Sequence, residues 1–422
     1  MKGTFRSLST SNYRLWAAGA LVSNIGTWMQ RTAQDWIVLT ELTHNNATAV
    51  GIVMGLQFGP HILLLPVTGF VADHVNRRKL LFATQGAMGL LALGLGVLTI
   101  TGLVQLWHVY VFAFLLGCVT AFDAPARQTF IGELVEDTHL SNAVALNSSS
   151  FNGARMIGPA VAGILIGLWG SGWVFVLNAV SFAAVISSLA FLRVDLLRPR
   201  ERSVRKLSGL TDGFRYVSKR PDLMTILVML ALIGTFGINF PIFISTMAVT
   251  VFHAGASQFG LLTSMMAIGS VTGALLTASR SERARMTFFA VAALAFGAAL
   301  AFAASMPHYW FFGFALILVG CAAQSFTTTA ISAIQLWTDS TMRGRVMAIF
   351  LAITLGGTPL GAPLIGHIAD TFGPRAAIGV GAASGFMAAV VALYYLMKYR
   401  HMRFCIVAGR LRITSTPEDH AA

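Results

Sequence analysis

The stretch Gly69-Phe-Val-Ala-Asp73-His-Val-Asn-Arg77-Arg78-Lys79 ends in three consecutive cations, and the run after it, Leu80 to Thr101, carries no charge. At about 1.5 Å per residue that run is long enough, as a helix, to cross a hydrocarbon core of roughly 30 Å. Cations beside an uncharged run are how a membrane helix meets its cytoplasmic boundary. The alternation repeats in both directions, with apolar runs near 15–40, 48–71, 79–101, 106–126, 140–168, 171–192, 223–251, 256–279, 286–305, 308–333, 344–369 and 375–398. Over all 422 residues, 56% are hydrophobic and 11% charged, with a mean hydropathy of +0.72. A soluble domain carries about a quarter charged residues, so the missing charge identifies the class: an all-α integral membrane protein of about twelve transmembrane helices.

The net charge of +13 would suit a nucleic-acid partner, but its placement excludes one. Lys2, Arg6 and Arg14 lead; Arg77, Arg78 and Lys79 follow, then Arg280, Arg283 and Arg285, Arg343 and Arg345, and a tail with Lys398, Arg400, Arg403, Arg410 and Arg412. The intervening joints around His44, Gln105, Gly170, His253 and Pro307 carry almost no Lys or Arg, Arg375 being the main exception. Alternating basic joints put both termini in the cytoplasm of a multi-pass cell-membrane protein, with anionic headgroups as neighbours of the basic loops. The long joint holding Arg193, Arg198, Arg200, Arg202, Arg205, Lys206, Arg215, Lys219 and Arg220 divides the chain into a six-helix half 1–192, a linker 193–222, a second half 223–398 and a tail 399–422. From Ile413 onward the tail is polar and expected to lack structure. The N-terminus, Met1 to Arg14, has no cleavage pattern of a signal peptide.

The halves read as repeats offset by roughly 200 residues, a known transporter plan. Phe114 to Cys118 answers Leu316 to Cys321, Leu134 to Val144 answers Leu336 to Val346, and Gly158-Pro159 with Gly163 answers Pro359-Leu360-Gly361 with Gly366. The opening stretch resembles the signature between helices two and three of the major facilitator superfamily, with Gly69, Asp73, Arg77 and Arg78 matching while His74 and Asn76 depart from the pattern. Within that superfamily the chain is most similar to proton-coupled drug, macrolide and siderophore exporters, the secretion effectors. The resemblance rests on Ser11 to Trp16, Asp123-Ala-Pro125-Ala-Arg127-Gln128, Arg343-Gly344-Arg345 and the exporter-type Gly158, Pro159 and Gly163. It implies a conformational latch at Gly69, Asp73, Arg77, Arg78, Asp123, Arg127 and Arg343. Thr277 stands where a second latch would need its acid, and Ala113 where the family's helix-four Arg would align.

Charges inside the apolar runs are the remaining signal, because burying one at mid-bilayer depth is costly. The first run holds Gln30, Arg31, Gln34 and Asp35, with Arg31 and Asp35 one helical turn apart. Arg155 follows Asn152 in the fifth run, and Gln57 and His61 lie in the second. Two readings stay open for Asp35, Arg31 and Arg155: a proton-coupling and substrate site, or a static ion pair that locks helix one. Gln57, His61, Asn178, Asn239 and Gln324 suit interhelical hydrogen bonds as well as a cavity.

No His-Glu-x-x-His, Gly-x-Ser-x-Gly or Walker-type loop is present, so neither an enzyme nor an ATP-driven pump is expected. Cys118, Cys321 and Cys405 have no zinc or disulfide spacing, and no metal or cofactor is expected. The expectation is a monomeric secondary exporter of a small amphiphilic molecule, with the proton as coupling ion. A nutrient importer or uniporter on the same fold, or a transport-inactive receptor, are the alternatives.

Overall fold

A computed structural model describes residues 5–198, 210–279, 285–399, 402–407 and 410–415. Six helices follow the first, α1 (Ser11–Trp36), before the linker: α2 (Ala47–Leu63), α3 (Leu65–His74), α4 (Arg77–Ile100), α5 (Leu106–Leu134), α6 (Asp137–Trp169) and α7 (Ser171–Ala190). After the short linker helix α8 (Leu210–Ser218) come α9 (Pro221–Leu232), α10 (Phe240–Thr246), α11 (Ala256–Ala278), α12 (Met286–Ser305), α13 (Tyr309–Trp337), α14 (Arg343–Phe372) and α15 (Pro374–Tyr399). Among the described residues, ten helical segments are long and apolar enough to cross a membrane, α9 and α10 counting as one continuous segment Pro221–Val251. The two expected crossings outside that set have physical reasons to differ. Helix α1 carries Arg31 and Asp35, and the second run is broken at Leu64, where Pro66 has no N–H to continue the helical ladder.

Local chemistry sets the helix ends. Asn46 caps α2 by accepting from Ala49 N (2.9 Å), and Asn76 caps α4 by accepting from Lys79 N (3.2 Å). Gly170 (φ +86) and Gly373 (φ +90) make the tight joints α6–α7 and α14–α15, a conformation that costs any other residue strain. The tail differs from expectation. Met402–Val407 (β1) pairs antiparallel with Arg410–Ser415 (β2), setting Phe404 opposite Ile413, so Ile413 to Ser415 are paired. The two-residue alternation through Phe404, Ile406, Leu411 and Ile413 is a strand pattern that polarity alone concealed.

Helix α1 packs on α6 and α7, α4 on α5 and α7, and α2 on α5; among the later helices α12 packs on α13 and α15, and α11 on α13. Contact between the two groups runs along two seams, α2 against α14 and α6 against α11. These seams are close because side chains are missing from them. A Cβ at Gly51 would stand 2.3 Å from the Ala362 carbonyl oxygen, and one at Gly260 would stand 2.2 Å from that of Pro159. Trp36 stacks on Phe259 beside the second seam, ring centroids 5.9 Å apart. Every hydrogen bond between described residues of the two groups lies at the end away from the termini. These bonds run from Ala47 and Thr48 to Asp370 and from Ser257 to Gly163.

Gly361 is tighter still, since a Cβ there would meet the Thr235 carbonyl oxygen at 1.7 Å, whereas Gly379 faces open space. Overpacking of this kind costs about 1–3 kcal/mol. Gly361→Ala should therefore lower the thermal midpoint of the detergent-solubilised protein by several degrees, and Gly379→Ala should leave it unchanged or raise it.

Candidate functional site

Two polar constellations occupy the first group of helices, α1 to α7. The first is a buried hub nearer the termini. Asp123 on α5 is 4% exposed and accepts from Thr84 Oγ1 (2.8 Å) and Gln85 Nε2 (2.8 Å) on α4. It also accepts from Arg127 Nε (3.1 Å) and Nη2 (2.8 Å) one turn along α5. Arg127 Nη1 reaches Asn24 Oδ1 on α1 (3.1 Å), and Asn24 Nδ2 lies 3.5 Å from Ser150 Oγ on α6. One carboxylate thus ties four helices, and its lone pairs are filled by charged and neutral donors, the condition under which a buried charge is tolerated.

Around this hub the basic joint is anchored as well. Arg77 pairs with Glu133 at the end of α5, and Arg78 donates to the Leu189 (2.9 Å) and Ala190 (3.3 Å) carbonyl oxygens at the end of α7. Gly69 and Asp73 belong to α3, but the placement of their side chains lies outside the described residues. Arg343, expected in the same latch, forms no ion pair among the described residues; Arg345 lies 3.5 Å from Asp212 on α8 instead. Helix α8 is further held by Tyr216, which donates to Asp339 (3.0 Å). Next to it Arg220 pairs with Asp222 (2.6 Å) and donates to the Trp337 carbonyl oxygen (3.2 Å). The hydrogen bond to Asp222 raises the Arg220 guanidinium above its ordinary value.

The second constellation lies deeper and is aromatic and cationic. The guanidiniums of Arg31 on α1 and Arg155 on α6 both stand over the Trp28 indole, at 4.9 Å and 5.6 Å from its centroid. Arg31 also lies 5.8 Å from Phe58 on α2, Phe58 lies 6.1 Å from His61, and Phe151 meets Trp28 edge-on at 5.6 Å. Arg31 and Asp35 share a helix face but make no contact ion pair, and neither does Arg155; the ion pairs among described residues all lie elsewhere. Arg31 Nε, Trp28 Nε1 and His61 Nδ1 are buried without a hydrogen-bond partner. Arg77 Nε and Gln85 Oε1, in and beside the hub, are likewise buried without a partner, so this feature is shared by both constellations.

Of the remaining candidates, Gln34 and Gln57 are buried on α1 and α2, and Asn152 donates to its own helix at Ser148 O (2.9 Å), away from Arg155. Pro159 and Gly163 form the α6 side of the seam with α11, whereas Gly158 packs on α1 against Trp28 Cβ, beside the cluster. Sequence reasoning missed Asn24, Thr84, Gln85, Glu133 and the rings of Phe58 and Phe151. The polar ones carried a signal, being uncompensated polar side chains in apolar runs, but nothing in the sequence said which of them would meet.

A family model described as transmembrane secretion effector matches residues 2–411. The chain belongs to the transmembrane secretion effector family. Its relatives include the staphyloferrin A transporter of Staphylococcus aureus, 26% identical with 83% of this chain and 87% of that protein covered. The multidrug efflux pump Tap of Mycolicibacterium fortuitum is 26% identical, covering 85% and 89%, and the enterobactin exporter EntS of Escherichia coli is 25% identical, covering 86% of each. Among solved structures, a bacterial homologue of the lysosomal transporter Spinster in an inward-facing, occupied conformation matches with a TM-score of 0.70 at 15% identity over 94% of this chain and 97% of that one. A POT family transporter bound to 5-aminolevulinic acid gives 0.74 at 10% identity over 92% and 96%. At such identities the structures establish the major facilitator fold alone. The secretion effector chain is thus a membrane transporter of that superfamily with drug and siderophore exporters among its relatives.

The hub should behave as a unit. Removing one partner of a buried ion pair costs about 3–5 kcal/mol because the other is stranded. Asp123→Ala should sharply lower the melting temperature of the purified protein, and Asp123→Ala combined with Arg127→Ala should cost clearly less than the sum of the single changes.

Proposed function

We propose that this chain exports a small amphiphilic molecule across a bacterial inner membrane by alternating access, in exchange for protons. It does so as a monomer of twelve crossings with both termini in the cytoplasm. The observation that carries the reading is the cluster of Trp28, Arg31, Asp35 and Arg155: charged groups deep in the helices, free of contact ion pairs, beside the helices that form the seams. A static scaffold gains nothing from such charges, which are expensive at that depth.

In this reading Trp28, Phe58 and Phe151 offer ring surface to the apolar part of the cargo. The free donors Trp28 Nε1 and Arg31 Nε, with Arg155, receive its oxygens. Gln34, Gln57, His61 and Asn152 complete the polar lining. Asp35 is the exchange point. Its carboxylate oxygens serve either a proton or a donor on the cargo, so a proton loaded from outside and a cargo loaded from inside exclude one another. That exclusion is the requirement for antiport.

The latch of Gly69, Asp73, Arg77, Arg78, Asp123, Arg127 and Arg343 then acts at the cytoplasmic end, alternating with the seam at Pro159 and Gly163, while Gly158 holds α6 against α1 at Trp28. The names of the relatives support efflux of drugs or siderophores. The basic linker 193–222, of which 199–209 lie outside the described residues, is read as an anchor for anionic headgroups.

The test uses proteoliposomes with an imposed pH gradient and a panel of lipophilic cations, macrolides and siderophores. The parent protein should couple the flux of one such compound to proton movement. Asp35→Asn should abolish gradient-driven flux while leaving exchange down a cargo gradient. Gradient-driven flux that survives in Asp35→Asn would refute the assignment of Asp35.

A further inference from the structure

The two seams are built alike from small residues. Along the first, a Cβ at Gly51 would stand 2.3 Å from the Ala362 carbonyl oxygen, one at Gly55 would stand 3.3 Å from that of Pro359, and one at Gly366 would stand 2.5 Å from that of Ala47. Along the second, Gly260 stands in this relation to Pro159 (2.2 Å) and Gly163 to Ala256 (2.5 Å). The sequences correspond too: Ala47-Thr48 with Gly51 on α2 reads as Ala256-Ser257 with Gly260 on α11, and Gly366 on α14 takes the place of Gly163 on α6.

One difference between them bears on how the halves are tied. Four residues beyond Gly366 stands Asp370; four residues beyond Gly163 stands Gly167. Asp370 Oδ1 accepts from Ala47 N (2.7 Å), and Oδ2 accepts from Thr48 N (2.9 Å) and Thr48 Oγ1 (2.5 Å). The second seam has only Ser257 Oγ donating to the Gly163 carbonyl oxygen at 3.1 Å. A carboxylate at a helix N-terminus fills orphan N–H groups and meets the positive end of the helix dipole. With Asn46 taking Ala49 N, the whole first turn of α2 is capped, two of its donors by a residue from the other half of the molecule.

We propose that Asp370 is the clasp of the gate at the end away from the termini, a positioning residue that sets the balance between the two access states. Its bonds to α2 exist only while that gate is shut. Glycine contacts supply fit along the seams, but dispersion is weak per atom and nearly as good against lipid. The charge-assisted bonds of Asp370 are the part of the seam that is directional and made at one end. A cavity of about 370 Å³ lined by His44, Asn45, Thr246, Thr250, Asp370 and Pro374 adjoins the clasp. Water entering there can take over both the carboxylate and the freed N–H groups when the seam parts, which makes the clasp releasable. The inference goes beyond the exchange chemistry of Asp35 and depends only on alternating access.

The experiment measures distances between spin labels in a background with Cys118, Cys321 and Cys405 changed to Ser. One label pair, Asn45→Cys with Phe372→Cys, reports the clasp end. A second pair, Val75→Cys with Leu336→Cys, reports the end bearing the termini. Asp370→Ala should raise the ratio of open to closed molecules at the clasp end by about tenfold or more and shorten distances at the opposite end. Asp370→Asn, which keeps one acceptor, should fall between.

Adding Gly167→Asp to Asp370→Ala builds the clasp on the other seam and should restore closure, a rescue that a merely structural role would not give. Distances in Asp370→Ala and Asp370→Asn that match the parent's would overturn the proposal. So would a shift that Gly167→Asp leaves uncorrected. Neither cargo nor a proton gradient enters the measurement, so it succeeds or fails independently of the proton exchange proposed above.

Discussion

Hydrocarbon offers a polar group no partner, and that constraint governs the rest of this molecule. Each charge carried into the helices must find its partners within the protein or hold open a place for something that moves. The hub at Asp123 is the first solution. Its carboxylate takes four hydrogen bonds from Thr84, Gln85 and Arg127, and Arg127 extends the network to α1. The cluster at Trp28 is the second kind: two guanidiniums lie over one indole, and neighbouring donors are left free. The contrast is between a carboxylate met by four hydrogen bonds and two guanidiniums met by ring faces.

The same constraint explains how the halves meet. Since lipid is as apolar as a Leu-rich helix face, greasy contact alone does not drive helices together; close backbone approach does. Gly51, Gly260, Gly163 and Gly366 permit it on the two seams. Hydrogen bonds between the halves gather at one end, while the ties at the other end, through Arg77, Arg78, Arg220 and Tyr216, stay within each half or join it to the linker.

Much of the architecture was legible because its signals are local. Apolar runs, basic joints and the Gly-Pro repeats each lie within a few dozen residues. The break at Leu64 was less so: Pro60 and Pro66 were visible, but a proline in a membrane helix is as often a kink as a stop. The hairpin after Tyr399 went unread because a polar composition masked a two-residue alternation. For the sites, Asp35, Arg31 and Arg155 stood out as charges in apolar sequence. Trp28 in the same run could line a cavity or face lipid, and nothing in the sequence said that two guanidiniums would stand over its ring.

The sequence by itself determined that the chain is a helical membrane protein of repeated halves, because hydropathy and charge act residue by residue against the bilayer and need no fold to be felt. It also determined which residues would be expensive there. Only the tertiary structure decided how that cost is met. Arg155 and Arg31 come from distant helices to one indole, Asp123 meets Thr84 rather than a second cation, and Asp370 crosses between halves to cap α2. Such pairings join residues tens to hundreds of positions apart, and their energies exist only once helix packing has brought the partners within a hydrogen bond's reach.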